Sequence, residues 1–152
     1  MLKPGDHAPE FTLSAATGEP FRLSAFRGVK NVVIFFYPKD NTLVCTREAC
    51  AFRDRHAEFL ERNAVVIGIS DDDAESHKSL AAQWDLPYPL LSDPGGVVRK
   101  AFAVTGLLGL LKGRETFVID REGRILHVVR DRFRAQAHID EALQALEGQR
   151  RS

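Results

Sequence analysis

The chain has 152 residues, 44% of them hydrophobic and 28% charged, with 21 Lys+Arg against 21 Asp+Glu. That length predicts one domain, residues 1–152, able to bury a core without disulfide or metal staples. A net charge of zero offers no concentrated basic face, so neither a nucleic-acid partner nor an acidic lipid surface is expected.

The opening MLKPGDHAPEF lacks the apolar core of a signal peptide. The longest apolar runs, Val32–Tyr37 and Leu107–Leu111, fall far short of a membrane span. The expected compartment is therefore a reducing cytoplasm, where a disulfide is transient and catalytic rather than structural.

Along the chain, Pro4, Gly5, Pro9, Gly18, Pro20 and Gly28 punctuate short β-like pieces at Phe11–Leu13 and Phe21–Leu23, which predicts a hairpin-rich entry. Asn31–Tyr37 (NVVIFFY) is a continuous β-prone run, the pattern of a strand buried on both faces, and Pro38 closes it. After the polar turn Lys39–Thr42, a helix is predicted over Leu43–Arg62, then a second buried strand over Ala64–Ser70 and a helix over Ala74–Trp84. A short strand at Leu90–Ser92 and a helix at Gly96–Phe102 follow. Glu115–Asp120 and Arg124–Val129 read as a hairpin turned at Arg121-Glu122-Gly123, and His138–Leu146 as a helix ahead of a frayed tail, Glu147–Ser152. Alternating strands and helices predict an α/β fold with a mixed central sheet flanked by helices. Trp84 is expected in the core, and Asp71-Asp72-Asp73 as the acidic start of a helix rather than a metal site.

Both cysteines lie in TLVCTREAC, at Cys45 and Cys50. In a regular helix Ala49, Phe52, His56, Phe59 and Leu60 fall within roughly 60° of Cys45, the stripe that would pack on the sheet. Cys50 sits roughly 140° round, and the two Cα atoms come out roughly 8.6 Å apart. A disulfide needs less than about 7 Å, so the pair can be bridged only if the first turns unwind. Three readings stand open. The cysteines could be buried core residues, a common fate of free thiols. They could ligate a metal, although His7, His56, His77, His127 and His138 supply no second ligand pair at zinc spacing. Or Cys45 could be a nucleophile, opening a helix whose free N–H groups and dipole favour a thiolate.

The stretch Phe36-Tyr37-Pro38-Lys39-Asp40-Asn41-Thr42-Leu43-Val44-Cys45-Thr46-Arg47-Glu48-Ala49-Cys50 resembles the peroxiredoxin signature PxxxTxxC. A second cysteine five residues on, with Glu48 between, is similar to the Q class, the bacterioferritin comigratory protein group. The resemblance also takes in Gly5–Phe11, Gly113–Asp120 and His138–Leu143, so it covers essentially the whole chain. The short loop Gly106–Gly113 looks most like cyanobacterial and plastid members, which makes a plastid stroma the alternative compartment. Leu43-Val44 stands where the family has Pro-Gly, a difference that bears on how readily the helix opens.

The resemblance implies a thioredoxin-like fold of the peroxiredoxin type and a thiol-dependent peroxidase acting on hydrogen peroxide and organic hydroperoxides. It implies that Cys45 attacks the O–O bond and that Cys50 resolves the sulfenic acid as an intramolecular disulfide. Thioredoxin or a similar dithiol would reduce that bond, with no cofactor and no metal, in a monomer. It assigns Thr42 to hold a peroxide oxygen, Arg114 to bond thiolate and peroxide, Pro38 to shield the sulfur and Glu48 to orient Arg114. Read as residues alone, Thr42 is an N-cap, Arg114 a solvated arginine and Glu48 an exposed helix-face acid. Leu107–Leu111 is either core or an apolar wall beside the pocket. Two other functions use the same pair. A cysteine hydrolase or transferase would need a histidine beside Cys45, and a redox sensor would form the disulfide with little turnover.

Overall fold

A computed structural model describes residues 2–104, 113–131 and 134–151. The loop expected to carry apolar residues Leu107–Leu111 lies outside the described residues. Seven strands form one sheet: β1 (Thr12–Ala15), β2 (Pro20–Arg22), β3 (Asn31–Phe36), β4 (Ala64–Ser70), β5 (Leu90–Ser92), β6 (Glu115–Ile119) and β7 (Ile125–Val129). Their order is β2-β1-β5-β4-β3-β6-β7, with β3 parallel to β4 and antiparallel to β6. The two β-branched and aromatic runs thus occupy the middle of the sheet, and every residue of β3 is buried, as a strand covered on both faces requires.

The helices are α1 (Leu43–Asp54), α2 (His56–Glu61), α3 (Ala74–Trp84), α4 (Val97–Ala101) and α5 (Ala135–Arg151). One apolar layer joins α1, α2 and α5 to the sheet through Phe35, Phe52, Phe59, Val118, Ile139 and Leu146. Phe35 stacks on Phe52 with ring centroids 4.6 Å apart, fixing α1 against β3. That stack needs Gly68 on the neighbouring strand, because a Cβ there would come within 2.6 Å of the Phe35 ring.

Several expectations are corrected by the structure. The predicted single helix over Leu43–Arg62 is two, because Arg55 at φ −109° and ψ 13° departs from helical geometry. Leu60 consequently leaves the buried stripe and is exposed. Trp84, expected in the core, is 36% exposed at the end of α3. The tail predicted to fray from Glu147 is helical through Arg151, anchored by the buried Leu146 and a 3.2 Å ion pair from Arg62 to Glu147. The acidic run does begin a helix: the Asp73 side chain caps α3 by accepting from the Ser76 N–H.

A buried polar cluster fixes the turn between β3 and α1. The Asp40 carboxylate accepts from the Tyr37 hydroxyl at 2.6 Å and the Ser76 hydroxyl at 2.8 Å, and faces His77 Nδ1 at 2.7 Å. Its own N–H donates to Asp72 at 2.7 Å. Burial raises the Asp40 carboxyl, but hydrogen bonds from His77 and Tyr37, the His77 charge and Ser76 outweigh it, leaving the group below its ordinary value. A carboxyl held low in the folded state contributes stability above the unfolded range near about pH 4, lost as pH falls through the folded value. Asp40→Asn should therefore lower unfolding free energy by about 1–3 kcal/mol at pH 7, because buried donors lose a charged acceptor. Urea melts should show that deficit narrowing below about pH 4; a deficit constant with pH would rule out this account.

Candidate active site

Cys45 occupies the first turn of α1, where the chain passes from the turn after β3 into helix. Thr42 precedes the helix in extended conformation, φ −93° and ψ 154°. Its carbonyl accepts the Thr46 N–H at 2.9 Å, but its hydroxyl donates back to the Lys39 carbonyl at 3.1 Å instead of capping a helix N–H. Thr42 is thus an N-cap by position only, with an exposed hydroxyl near the helix end. Pro38 is half-buried two residues past the end of β3, four residues ahead of Thr42.

The Cys45 thiol is 2% exposed. Arg114, in the last residue before β6, donates from Nη2 to Cys45 Sγ at 3.0 Å and from Nη1 to Glu48 Oε1 at 2.9 Å. The guanidinium fork thus meets a sulfur and a carboxylate from the same helix, a task that suits its planar, permanently charged shape. Glu48 is fully buried, so the exposed helix-face alternative is wrong: three residues past Cys45 it turns to the sheet side. Arg114 is 6% exposed, against the solvated position usual for arginine. Burial works against its charge, and attraction to Glu48 and Cys45, with the hydrogen bonds to both, more than restores it. Burial pushes the Glu48 carboxyl up, and attraction to His138 and Arg114 offsets only part of that.

Cys50 lies on the other side of α1, half-buried, and both cysteines are free thiols. Burial raises the Cys50 thiol, partly opposed by Arg53. Leu43, 66% exposed, Thr46, Arg47 and Trp84 line an open groove beside it. The tyrosine hydroxyl of Tyr88 donates to the Ala49 carbonyl at 2.6 Å, pinning the helix between the two cysteines.

Sequence reasoning missed two groups at this site. Arg99, on α4, donates to the Tyr37 carbonyl at 2.7 Å and to the Gly113 carbonyl at 2.8 Å. One side chain thereby ties the residue before Pro38 to the residue before Arg114. The other is His138 on α5, whose Nδ1 lies 3.3 Å from Glu48 Oε2. Neither shares a local motif with Cys45, so no spacing rule could find them. Of the five histidines, the described contacts bring none to the Cys45 sulfur; Arg114 is the side chain recorded there. Among the described residues, no group of three or more His, Cys, Asp or Glu side chains is disposed to hold a metal ion.

Comparison with known proteins follows the same lines. A model of the AhpC/TSA family matches residues 4–128. Chloroplastic peroxiredoxin Q of Sedum lineare is 47% identical over 144 residues, 94% of this chain and 77% of that protein. The crystal structure of peroxidoxin BcpB from Mycobacterium tuberculosis superposes with a TM-score of 0.89 at 43% identity, covering 97% of this chain and 98% of that one. The bacterioferritin comigratory protein of Xanthomonas campestris, studied for alkyl peroxide reduction in trapped intermediate and ligand complexes, gives a TM-score of 0.83 at 30% identity over 91% of each chain. The sheet with its helices is accordingly the thioredoxin-like fold of peroxiredoxins, and the chain belongs to the AhpC/TSA family and, within it, to the peroxiredoxin Q group of thiol-dependent peroxidases.

Proposed function

We propose that Cys45 is the peroxidatic thiol, that Cys50 resolves it within the same chain, and that hydrogen peroxide and organic hydroperoxides are the substrates. The observation that carries this reading is the Arg114 fork on the Cys45 sulfur and Glu48, with all three side chains buried. A buried thiolate needs a buried cation, and Arg114 is within hydrogen-bond distance of it.

In the first step the Cys45 thiolate attacks one peroxide oxygen, the O–O bond breaks, and the departing oxygen takes a proton to leave as water or alcohol. Sulfur is oxidised to the sulfenic acid as the peroxide is reduced. Negative charge spreads over sulfur and both oxygens in the transition state, so preplaced donors matter most there. Arg114 supplies a fixed cationic donor, the exposed Thr42 hydroxyl is disposed to rotate toward a peroxide oxygen, and N–H groups of the first helical turn have no intrahelical partner. Pro38 borders the same turn and limits water access to the sulfur.

In the second step the Cys50 thiol loses its proton and attacks the Cys45 sulfur, forming the disulfide and releasing water. With α1 intact the Cα atoms stand roughly 8.6 Å apart, so the first turns must open. Thioredoxin or a similar dithiol then reduces the disulfide by exchange, and its own cysteines are oxidised. The chain acts as a monomer, since resolution needs no second copy. It works in the cytoplasm or, as the naming of its plant relatives suggests, in a plastid stroma.

A thioredoxin-coupled assay over both peroxide classes tests the reading. Cys45→Ser should abolish turnover, Cys50→Ser should keep the first turnover and lose recycling, and Arg114→Ala should lower kcat/KM by about 10²–10³-fold. Full activity in Cys45→Ser would sink the assignment. A second expectation concerns Leu43-Val44, the helix's first two residues. Val44→Gly should weaken the folded helix by about 0.5 kcal/mol, so disulfide formation after a single peroxide pulse should quicken roughly two-fold. Intrinsic fluorescence of Trp84, close to Cys50 on the shared groove, gives the readout.

A further inference from the structure

The thiol, arginine and glutamate do not end at Glu48. Glu48 Oε1 accepts from Arg114, while Oε2 is buried with no hydrogen-bond donor among the described residues and faces His138 Nδ1 at 3.3 Å. His138 is itself 0% exposed and lies early in α5. Its Nε2 stands 2.6 Å from the Asp131 carbonyl. A carbonyl only accepts, so Nε2 carries a proton, and Nδ1 is the nitrogen that faces Glu48. The Thr116 hydroxyl, 2.7 Å from Nδ1, can donate to the bare nitrogen or accept from the protonated one. The site is therefore built to hold both states without leaving Nδ1 unpaired. Nothing in the peroxidase steps above uses it.

We propose that His138 is a positioning residue for the peroxidase reaction: by taking or releasing one proton against Glu48, it sets how much of Arg114's charge is available to the Cys45 sulfur. This deepens the proposed function, since it presumes Cys45 as the attacking thiol. With one proton shared between Glu48 and His138, the two together are neutral, and Arg114 faces the thiolate with its full charge. With that proton gone, the carboxylate cancels Arg114 and the thiolate loses its counter-charge. The thiol's own proton has a destination in the same scheme, because Cys45 becomes a thiolate as the Glu48–His138 pair takes up a proton, with charge conserved. Burial, which pushes the Glu48 carboxyl up, works in this direction.

The surrounding groups do not replace His138 in this role. Arg114 and Cys45 lie on the Oε1 side of Glu48, and the Tyr88 phenol, held neutral by burial and by the negative charge of Glu48, bonds the Ala49 carbonyl. The Asp131 side chain pairs with Arg134, and Glu115 with Arg130. On the outer face of α5, Asp140 pairs with Arg55 and Glu141 with His127.

Cys50→Ser leaves Cys45 as the sole thiol, so its alkylation by iodoacetamide against pH reads the thiolate whether or not peroxide is turned over. In that background His138→Gln should move the alkylation midpoint up by about one pH unit. Adding Glu48→Gln removes the now uncompensated carboxylate and should bring the midpoint back toward the parent. A structural role for His138 would make the double variant at least as impaired as the single one. An unmoved midpoint in His138→Gln, or no return in the double variant, overturns the proposal. A measurement that keeps His138 guards against misfolding of the variants. By reciprocity, nitrogen NMR at pH 7 should find Nδ1 protonated in a larger fraction of the reduced chain than of its Cys45→Ser form. Equal fractions would overturn the proposal as well. Loss of the coupling with peroxidase activity intact would count against His138 alone, whereas an inactive chain with the coupling intact would count against the peroxidase reading.

Discussion

A guanidinium almost wholly removed from water governs this molecule. A cation at the 6% exposure of Arg114 is tolerated only if its donors meet acceptors, and two of them meet one helix, at Cys45 and Glu48. Breaking such a buried pair by deleting one partner typically costs about 3–5 kcal/mol, because the other charge stays behind unpaired. The pair itself adds little net stability over apolar packing. Its effect is to fix the rotation of α1, since a helix turned by one residue would carry both acceptors away from the fork. The Cys45 sulfur is positioned by the same contact that charges its surroundings.

The segments on either side are held by different means. Phe35 on Phe52 sets the height of α1 above the sheet, with Gly68 leaving the room that ring needs. Asp40, tied to Tyr37, Ser76, His77 and Asp72, holds the turn that leads into the helix. Arg99 clamps two backbone carbonyls, at Tyr37 and Gly113, which belong to the two segments that bring Pro38 and Arg114 to the site. Rigid polar clusters thus surround a helix whose own first turn carries an exposed leucine and a half-buried valine. The frame is stiff, and the helix that would have to open for the proposed disulfide is held chiefly at its middle.

The central strands were legible in the sequence because NVVIFFY and AVVIGIS have no polar face to solvate, and a strand that is buried on both sides leaves that mark. The hairpin of β6 and β7 was legible from its turn. The break at Arg55 was not, since no proline or glycine announces it and the apolar spacing runs straight through. Trp84 misled for a related reason: bulk and hydrophobicity argue for the core, but its place at the last residue of α3 leaves it at the rim of a groove. At the site, Cys45, Thr42 and Glu48 share one short stretch and could be read together. Arg114 contacts Glu48 and Cys45 across 66 and 69 residues, so only the resemblance to a family pointed to it. Arg99 had no such pointer, and the resemblance took in His138 without giving it a role, because an isolated histidine or arginine in a helix looks the same whether it faces a buried carboxylate, a carbonyl or water.

Glu48 lies between the two cysteines, and that placement carries a consequence for the order of events. When the first turns of α1 unwind so that Cys50 can reach Cys45, the carboxylate between them has to leave its seat against Arg114. The arginine fork then loses both acceptors from the helix at once. In the proposed cycle, peroxide binding and disulfide formation would therefore draw on mutually exclusive shapes of the same dozen residues. Abundant peroxide, by favouring the closed shape, would delay resolution and leave the sulfenic acid of Cys45 exposed to a second oxidant molecule, which carries it to the irreversible sulfinic rung. In the proposed cycle, the ease with which this one buried glutamate lets go would set how long the sulfenic acid waits for Cys50.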